Sequence, residues 1–232
     1  IEGSTIAWVG PMSELPKTSL LGKVTELRDL KGDIVIPGLI NLHCHLGDIK
    51  FRGLFEFENL KEYVLLSRLA NSRLHQFEHV DSSSVNLSFA ELISSGTTLV
   101  FGGRHASKGK EFGLRTVCSY PLNNENPLLK EFWEAFPKGF EKFREELVDS
   151  SLTLPAISIH LGSIETQALS QVHRIMEQYK DVYLSVHVAE DRRTEEEIKA
   201  RHGCSSIQLL SNYGLLYEGR SLLVHAIYVD QD

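Results

Sequence analysis

Two rhythms of apolar and polar positions divide the chain. Near its start, Thr5-Ile-Ala-Trp-Val-Gly10 reads as a short β-strand closed by a Gly10-Pro11 turn, and residues 33–36 (Asp-Ile-Val-Ile) read as another, broken by Pro37-Gly38. Such residues favour strands because β-branched side chains fit the pleat. From residue 39 onward, apolar runs of strand length alternate with longer stretches of helical period. Strands are predicted at Leu39–His45, Thr97–Phe101, Arg115–Ser119, Leu154–His160, Val182–Val188 and Ser221–Ile227. Helices are predicted near 59–79, 82–94, 127–148, 165–179, 194–201 and 205–212. Over 165–179, Ala168, Val172, Ile175 and Met176 share one face, with Gln171, Arg174 and Glu177 on the other. Gly96, after Ile93-Ser94-Ser95, predicts a helix stop.

Repeated strand–helix units with continuously apolar strands imply a parallel sheet covered by helices, either a (β/α) barrel or an open doubly wound sheet. Neither G-x-G-x-x-G nor G-x-x-x-x-G-K-[ST] follows any strand, so no glycine loop is predicted to cradle phosphate. Six strands belong to the series, two fewer than a closed eight-stranded barrel holds.

Composition narrows the function classes. The 232 residues carry 31 acidic and 24 basic side chains, a formal charge of -7 that argues against non-specific nucleic-acid binding. No stretch approaches the roughly 20 apolar residues of a membrane helix. Residues 1–10 include Glu2 and no basic cluster, unlike a signal peptide. Cys44, Cys118 and Cys204 are odd in number and far apart, which suits reduced thiols in a cytoplasmic protein. The 10 histidines are the count to follow, because imidazole is the commonest metal ligand near neutral pH.

His43, His45, His160, His187 and His225 fall at or near the carboxyl ends of predicted strands, the edge where parallel α/β folds build active sites. Alternation along a strand points His43 and His45 the same way. Two imidazoles so placed repel when protonated, and a divalent metal is the usual partner that makes such a pair favourable. An H-x-H pair alone occurs by chance, and each strand-end histidine taken singly could be a hydrogen-bonded core residue. Their shared edge is what points to a site.

The run from Pro37 through His43-Cys44-His45-Leu46 to Phe51-Arg52-Gly53 resembles the first barrel strand of the amidohydrolase superfamily, in particular its cytosine deaminase, S-adenosylhomocysteine deaminase and triazine hydrolase group. Ser185-Val186-His187-Val188-Ala189-Glu190 resembles that group's fifth-strand motif, Leu223-Val224-His225-Ala226 its sixth strand, and Ser94-Ser95-Gly96-Thr97-Thr98 its second-strand entry. The resemblance implies a TIM-like (β/α)8 barrel of which about six units are present over residues 37–232, with part of a small β-domain at 1–36. It implies one divalent ion, zinc or iron, held by His43, His45 and His187. Glu190 would carry a proton to a ring nitrogen, His225 would orient the attacking water or the tetrahedral intermediate, and His160 would touch substrate. The implied reaction is hydrolytic deamination of an aminated nitrogen heterocycle, a small-molecule substrate; the alternatives are another leaving group on a triazine-like ring, or a metal-binding domain without turnover.

The family's eighth strand supplies an aspartate that binds the metal and takes a proton from water. No residue here matches it, since Asp230 and Asp232 follow the sixth strand directly, so the chain reads as a truncated barrel whose open edges would suit pairing with another copy. Glu195, Glu196, Glu197, Lys199 and Arg201 read as an exposed helix face with i,i+4 pairs and no chemistry. Arg104 or His105, in the loop after the second strand, could reach substrate. His75, His79, His173 and His202 read as surface residues, and Cys44 as core packing.

Overall fold

The computed structural model describes residues 1–3, 5–17, 25–74, 76–77, 79–122, 130–147, 151–164 and 166–229. It separates into two compact units, Ile1–Pro37 and Gly38–Asp232. His75, Asp230 and Asp232 lie outside the described residues.

In the first unit, the described regular structure is a 3-10 segment at Met12–Lys17 and an isolated antiparallel bridge between Glu2 and Thr5. The strands expected at 5–10 and 33–36 do not form. A strand exists only as one side of a hydrogen-bonded ladder, and among the described residues neither segment enters one, the single bridge at Thr5 aside. Ile34, Val35 and Ile36 are exposed.

The second unit alternates β1 (Leu39–Cys44), α1 (Leu60–Leu74), α2 (Val80–Ser94), β2 (Thr97–Gly102), β3 (Arg115–Leu122), α3 (Lys130–Leu147), β4 (Thr153–His160), α4 (Thr166–Gln178), β5 (Tyr183–Val188), α5 (Arg192–His202), α6 (Ser206–Asn212) and β6 (Ser221–His225). All strand pairs are parallel and follow chain order from β1 to β6. The sheet curls: His43 on β1 and His225 on β6, at opposite ends of that order, have ring centroids 5.9 Å apart. Six parallel strands thus form a nearly closed barrel with helices between them. β1 keeps a single neighbour, and its Leu39, Ile40 and Leu42 are exposed.

Two glycines act where the geometry needs them. Gly96 ends α2 at φ +83, a left-handed conformation that side chains disfavour. At Gly38 an added Cβ would lie 2.1 Å from Thr98 Cγ2, so only glycine lets β1 enter beside β2.

The inner strands β2 to β5 are largely buried on both faces, as a helix-covered parallel sheet requires. Val100, Cys118, Ile157, Ile159, Leu184 and Val186 join the main core with Phe89 of α2, Phe140 of α3 and the predicted stripe Ala168, Val172, Ile175 and Met176 of α4. The alternate positions, among them Phe101, Ser119, Ser158, Ser185 and His187, line a cavity inside the curl.

Glu195 departs from its expected place on an exposed face. It is buried and accepts hydrogen bonds from the Ser206 backbone N–H (3.0 Å) and the Ser206 hydroxyl, tying α5 to the start of α6. The expected pair Glu197–Arg201 is replaced by Arg193–Glu197 at 2.7 Å. His173, expected at the surface, is half-buried, its Nδ1 lying 3.2 Å from Gly214 O and 2.9 Å from Tyr217 Oη. No described helix is long and apolar enough to cross a membrane.

Candidate metal centre

Four strands deliver six polar side chains to one rim of the curl. β1 brings His43 and, just past its end, His45, whose Nε2 atoms are 3.1 Å apart. In the β4–β5 ladder His160 is the register partner of His187, and their rings stack at 3.8 Å and 18°. The His43 and His187 rings meet edge to face at 4.8 Å. Nitrogens of His43, His45 and His187 all lie within 4.8 Å of one another.

His225 and Glu190 reach this cluster by a route that strand alternation does not predict. Val224 is the register partner of His187, so a regular β6 would turn His225 to the opposite face. Instead His225 has φ +72 and Ala226 φ +51, and after β5 Ala189 has φ +44. Left-handed backbone costs a non-glycine residue about 1–2 kcal/mol and persists only where surrounding bonds hold it. Here Ala226 N–H donates to Val188 O at 3.0 Å, and Ala189 O accepts from the N–H groups of Ile227 and Tyr228 at 3.1 and 3.0 Å. Arg192 also lies over the Tyr228 ring, 5.5 Å from its centroid. The two exits are thereby locked together, with His225 Nε2 3.2 Å from Glu190 Oε1. The same reversal ends β6 at His225, two residues before its predicted end.

The electrostatics favour neutral imidazole at His43, His160 and His187. Burial, reinforced by the other imidazoles, lowers His187 to about 3. Burial and the charges of His45 and His225 lower His43 to about 4, and burial and the charges of His45, His43 and His225 lower His160 to about 4. His45 moves the other way, raised by its hydrogen bond to Asp48. Burial raises the Glu190 carboxyl, with the nearby His225 opposing. Both ring nitrogens of His187 are buried without a hydrogen-bond partner. Orphaned nitrogens of that kind are rare, because an unmade hydrogen bond on a buried polar group costs about 1–3 kcal/mol. A cation held by His43, His45 and His187 would take the lone pair of one of these nitrogens, and the 3.1 Å spacing of His43 and His45 is near the roughly 3.3 Å between tetrahedral nitrogen ligands. The donor set fits a divalent first-row ion.

The cavity against these histidines holds about 200 Å³, with Ser119, Ser158 and Ser185 from three successive strands on its walls. Arg104 and His105 are absent from its lining. Arg104 instead lies over the Tyr120 ring at 5.0 Å and borders a separate cleft against α3, while His105 is exposed. Cys44 packs against the core and also borders the cavity. Two groups at the site escaped the sequence reading. Asp48 follows His45 by three residues and takes its Nδ1 at 3.1 Å, and Tyr63 Oη donates to the same Asp48 oxygen at 3.1 Å. A carboxylate just past the H-x-H pair was the available signal for Asp48; Tyr63, on a helix 18 positions beyond His45, offered none.

Parallel strands, intervening helices and an imidazole cluster at the strands' carboxyl ends define a (β/α)-barrel protein equipped for chemistry at that rim. The chain belongs to the amidohydrolase family, whose sequence profile matches residues 34–232. It is 28% identical over 242 residues to a 5-methylthioadenosine/S-adenosylhomocysteine deaminase of Pyrococcus furiosus, covering 100% of this chain and 54% of that protein. Among solved structures it resembles a guanine deaminase from C. acetobutylicum with bound guanine (TM-score 0.69, 19% identity, 89% of this chain and 55% of that one). It also resembles an adenosine deaminase from Xanthomonas campestris with bound zinc (TM-score 0.68, 20% identity, 84% and 45%). The chain spans about half the length of the curated relatives it matches.

Proposed function

We propose that this chain carries the metal site of an enzyme that hydrolytically deaminates an aminated nitrogen heterocycle, such as a purine, a pyrimidine or their nucleosides. The observation that carries the reading is the orphaned imidazole of His187 beside His43 and His45, with no ligand nitrogen more than 4.8 Å from another. The relatives support the substrate class, since similar proteins are named as deaminases of adenosine derivatives and of guanine. His43, His45 and His187 would hold one divalent ion. Zinc is favoured because a similar structure contains it; iron is the second choice.

When bound, the ion supplies a nucleophile by lowering the pKa of water from about 15.7 toward 7. The chain's own residues do the rest. Burial keeps the Glu190 carboxyl readier to hold a proton, which it delivers to the ring nitrogen next to the carbon under attack. His225, 3.2 Å from Glu190, orients the attacking water and steadies Glu190 through their shared contact. His160, stacked on His187, forms the wall nearest the substrate ring. The three free cysteines suit a reducing, cytoplasmic setting.

Elemental analysis of the purified chain, with and without His43→Ala, is the first test. About one divalent ion per chain, lost in the variant, supports the site; protein that stays metal-free after zinc or iron is supplied overturns it. Ammonia release is then assayed across aminated purines, pyrimidines and nucleosides. A metal-loaded protein that releases none from any of them overturns the deaminase reading.

A further inference from the structure

Asp48 has no part in the chemistry described above, yet its carboxylate is fixed by two contacts beside the imidazole cluster. It stands at the first position of a 3-10 turn, Asp48–Phe51, entered through Gly47 at φ +97. That turn is fastened from three sides. Gly47 N–H donates to Ser88 Oγ of α2 at 3.2 Å, Lys50 pairs with Asp81 of α2, and Phe51 is buried. From this base Asp48 Oδ2 lies 3.1 Å from His45 Nδ1, and Tyr63 Oη of α1 donates to the same oxygen.

A carboxylate accepts and cannot donate, so this contact requires the proton of His45 on Nδ1. The lone pair of a neutral His45 then sits on Nε2, the atom 3.1 Å from His43 Nε2 inside the cluster. We propose that Asp48, held in place by Tyr63, is a positioning residue that presents His45 Nε2 to the metal. The inference rests on the metal reading given above and deepens it. Hydrogen bonding of this kind fixes ring orientation and strengthens the imidazole as a donor, and its loss typically costs 10–100-fold in metal affinity. Tyr63 acts one step further out: it touches Asp48 and not His45, so its effect passes through the carboxylate.

The test is zinc affinity by competition with a chromophoric chelator, on wild type, Asp48→Ala, Asp48→Asn, Tyr63→Phe and the Asp48→Ala/Tyr63→Phe double variant. Asp48→Ala is expected to bind zinc about 10–100-fold more weakly, Asp48→Asn about 10-fold, and Tyr63→Phe a few-fold. Because Tyr63 works through Asp48, its substitution changes nothing further in the Asp48→Ala background, which a purely structural effect would not produce. The visible spectrum of the cobalt(II) form keeps its shape in Asp48→Ala, since no ligand is lost. Unchanged affinity in Asp48→Ala and Asp48→Asn overturns the proposal. So does a Tyr63→Phe loss that adds fully to that of Asp48→Ala, or a cobalt spectrum showing that a ligand has gone. A wild-type chain that takes up no ion defeats the metal reading itself, an outcome distinct from wild type binding normally while the Asp48 variants bind equally well.

Discussion

The left-handed residues that aim His225 and Glu190 make a prediction whose sign differs from the usual rule. Alanine to glycine ordinarily destabilises: at the exposed position 200 of α5, Ala200→Gly should cost about 1 kcal/mol. Ala226, at φ +51, is the opposite case. Its left-handed conformation costs an alanine about 1–2 kcal/mol that glycine avoids. Against this stand the greater chain freedom glycine loses on folding, about 0.5–1 kcal/mol, and a half-buried methyl worth roughly 0.4 kcal/mol. Ala226→Gly should therefore fall within about half a kcal/mol of neutral. Ala226→Val, which forces a β-branched side chain into the same conformation, should cost at least about 1 kcal/mol. Urea unfolding reads the contrast directly: with a slope of about 2–3 kcal/mol per molar, Ala226→Gly and Ala200→Gly should differ in midpoint by about 0.3–0.5 M. Equal losses from the two glycine variants, or a harmless valine at 226, would show that residue 226 is not left-handed and that His225 is not aimed by this turn.

Two further predictions concern groups the fold has buried. Glu195→Ala should lose about 2–3 kcal/mol, because it strips a buried carboxylate from two donors of Ser206, whereas Glu196→Ala on the exposed side of the same helix should stay within about 0.5 kcal/mol of wild type; equal effects in thermal unfolding would refute the buried assignment. For metal-free protein, His43, His160 and His187 titrate near 3 to 4 when folded against 6.5 unfolded, so below about pH 6.5 the unfolded chain binds the extra protons. Stability is therefore complete above about pH 6.5 and declines as pH falls toward 4. His160→Phe, which keeps a ring against His187 and removes one titrating group, should flatten that decline. Urea midpoints that do not change between about pH 7 and pH 5 would contradict the depressed values.

Hydrophobic period by itself determined most of the scaffold: the six parallel strands, the helices between them and the buried stripe of α4 stand close to where apolar runs of strand or helical length predicted them. Strands buried on both faces write their burial into consecutive residues, so the local pattern suffices. The histidines too were legible, because strand ends of a parallel sheet share one edge and the H-x-H spacing puts His43 and His45 on one face. What depended on contacts between distant segments was not. Ile34, Val35 and Ile36 have the residue types of a strand, but a ladder needs a partner and the propensity of four residues does not provide one. Glu195 belongs to a run of charges that any helix could display to water, and only the approach of Ser206 makes it a buried acceptor. Strict alternation would send His225 away from His187; backbone bonds from residues 226–228 to Val188 and Ala189 hold it in a left-handed turn that reverses its direction. Asp48 meets both His45 and Tyr63 because α1 brings Tyr63 to the turn after β1. Period and residue type are local quantities, carried in a dozen neighbouring positions. Partnership, strain and the aim of a side chain are set by atoms far apart in the chain, and so were decided only when the barrel curled.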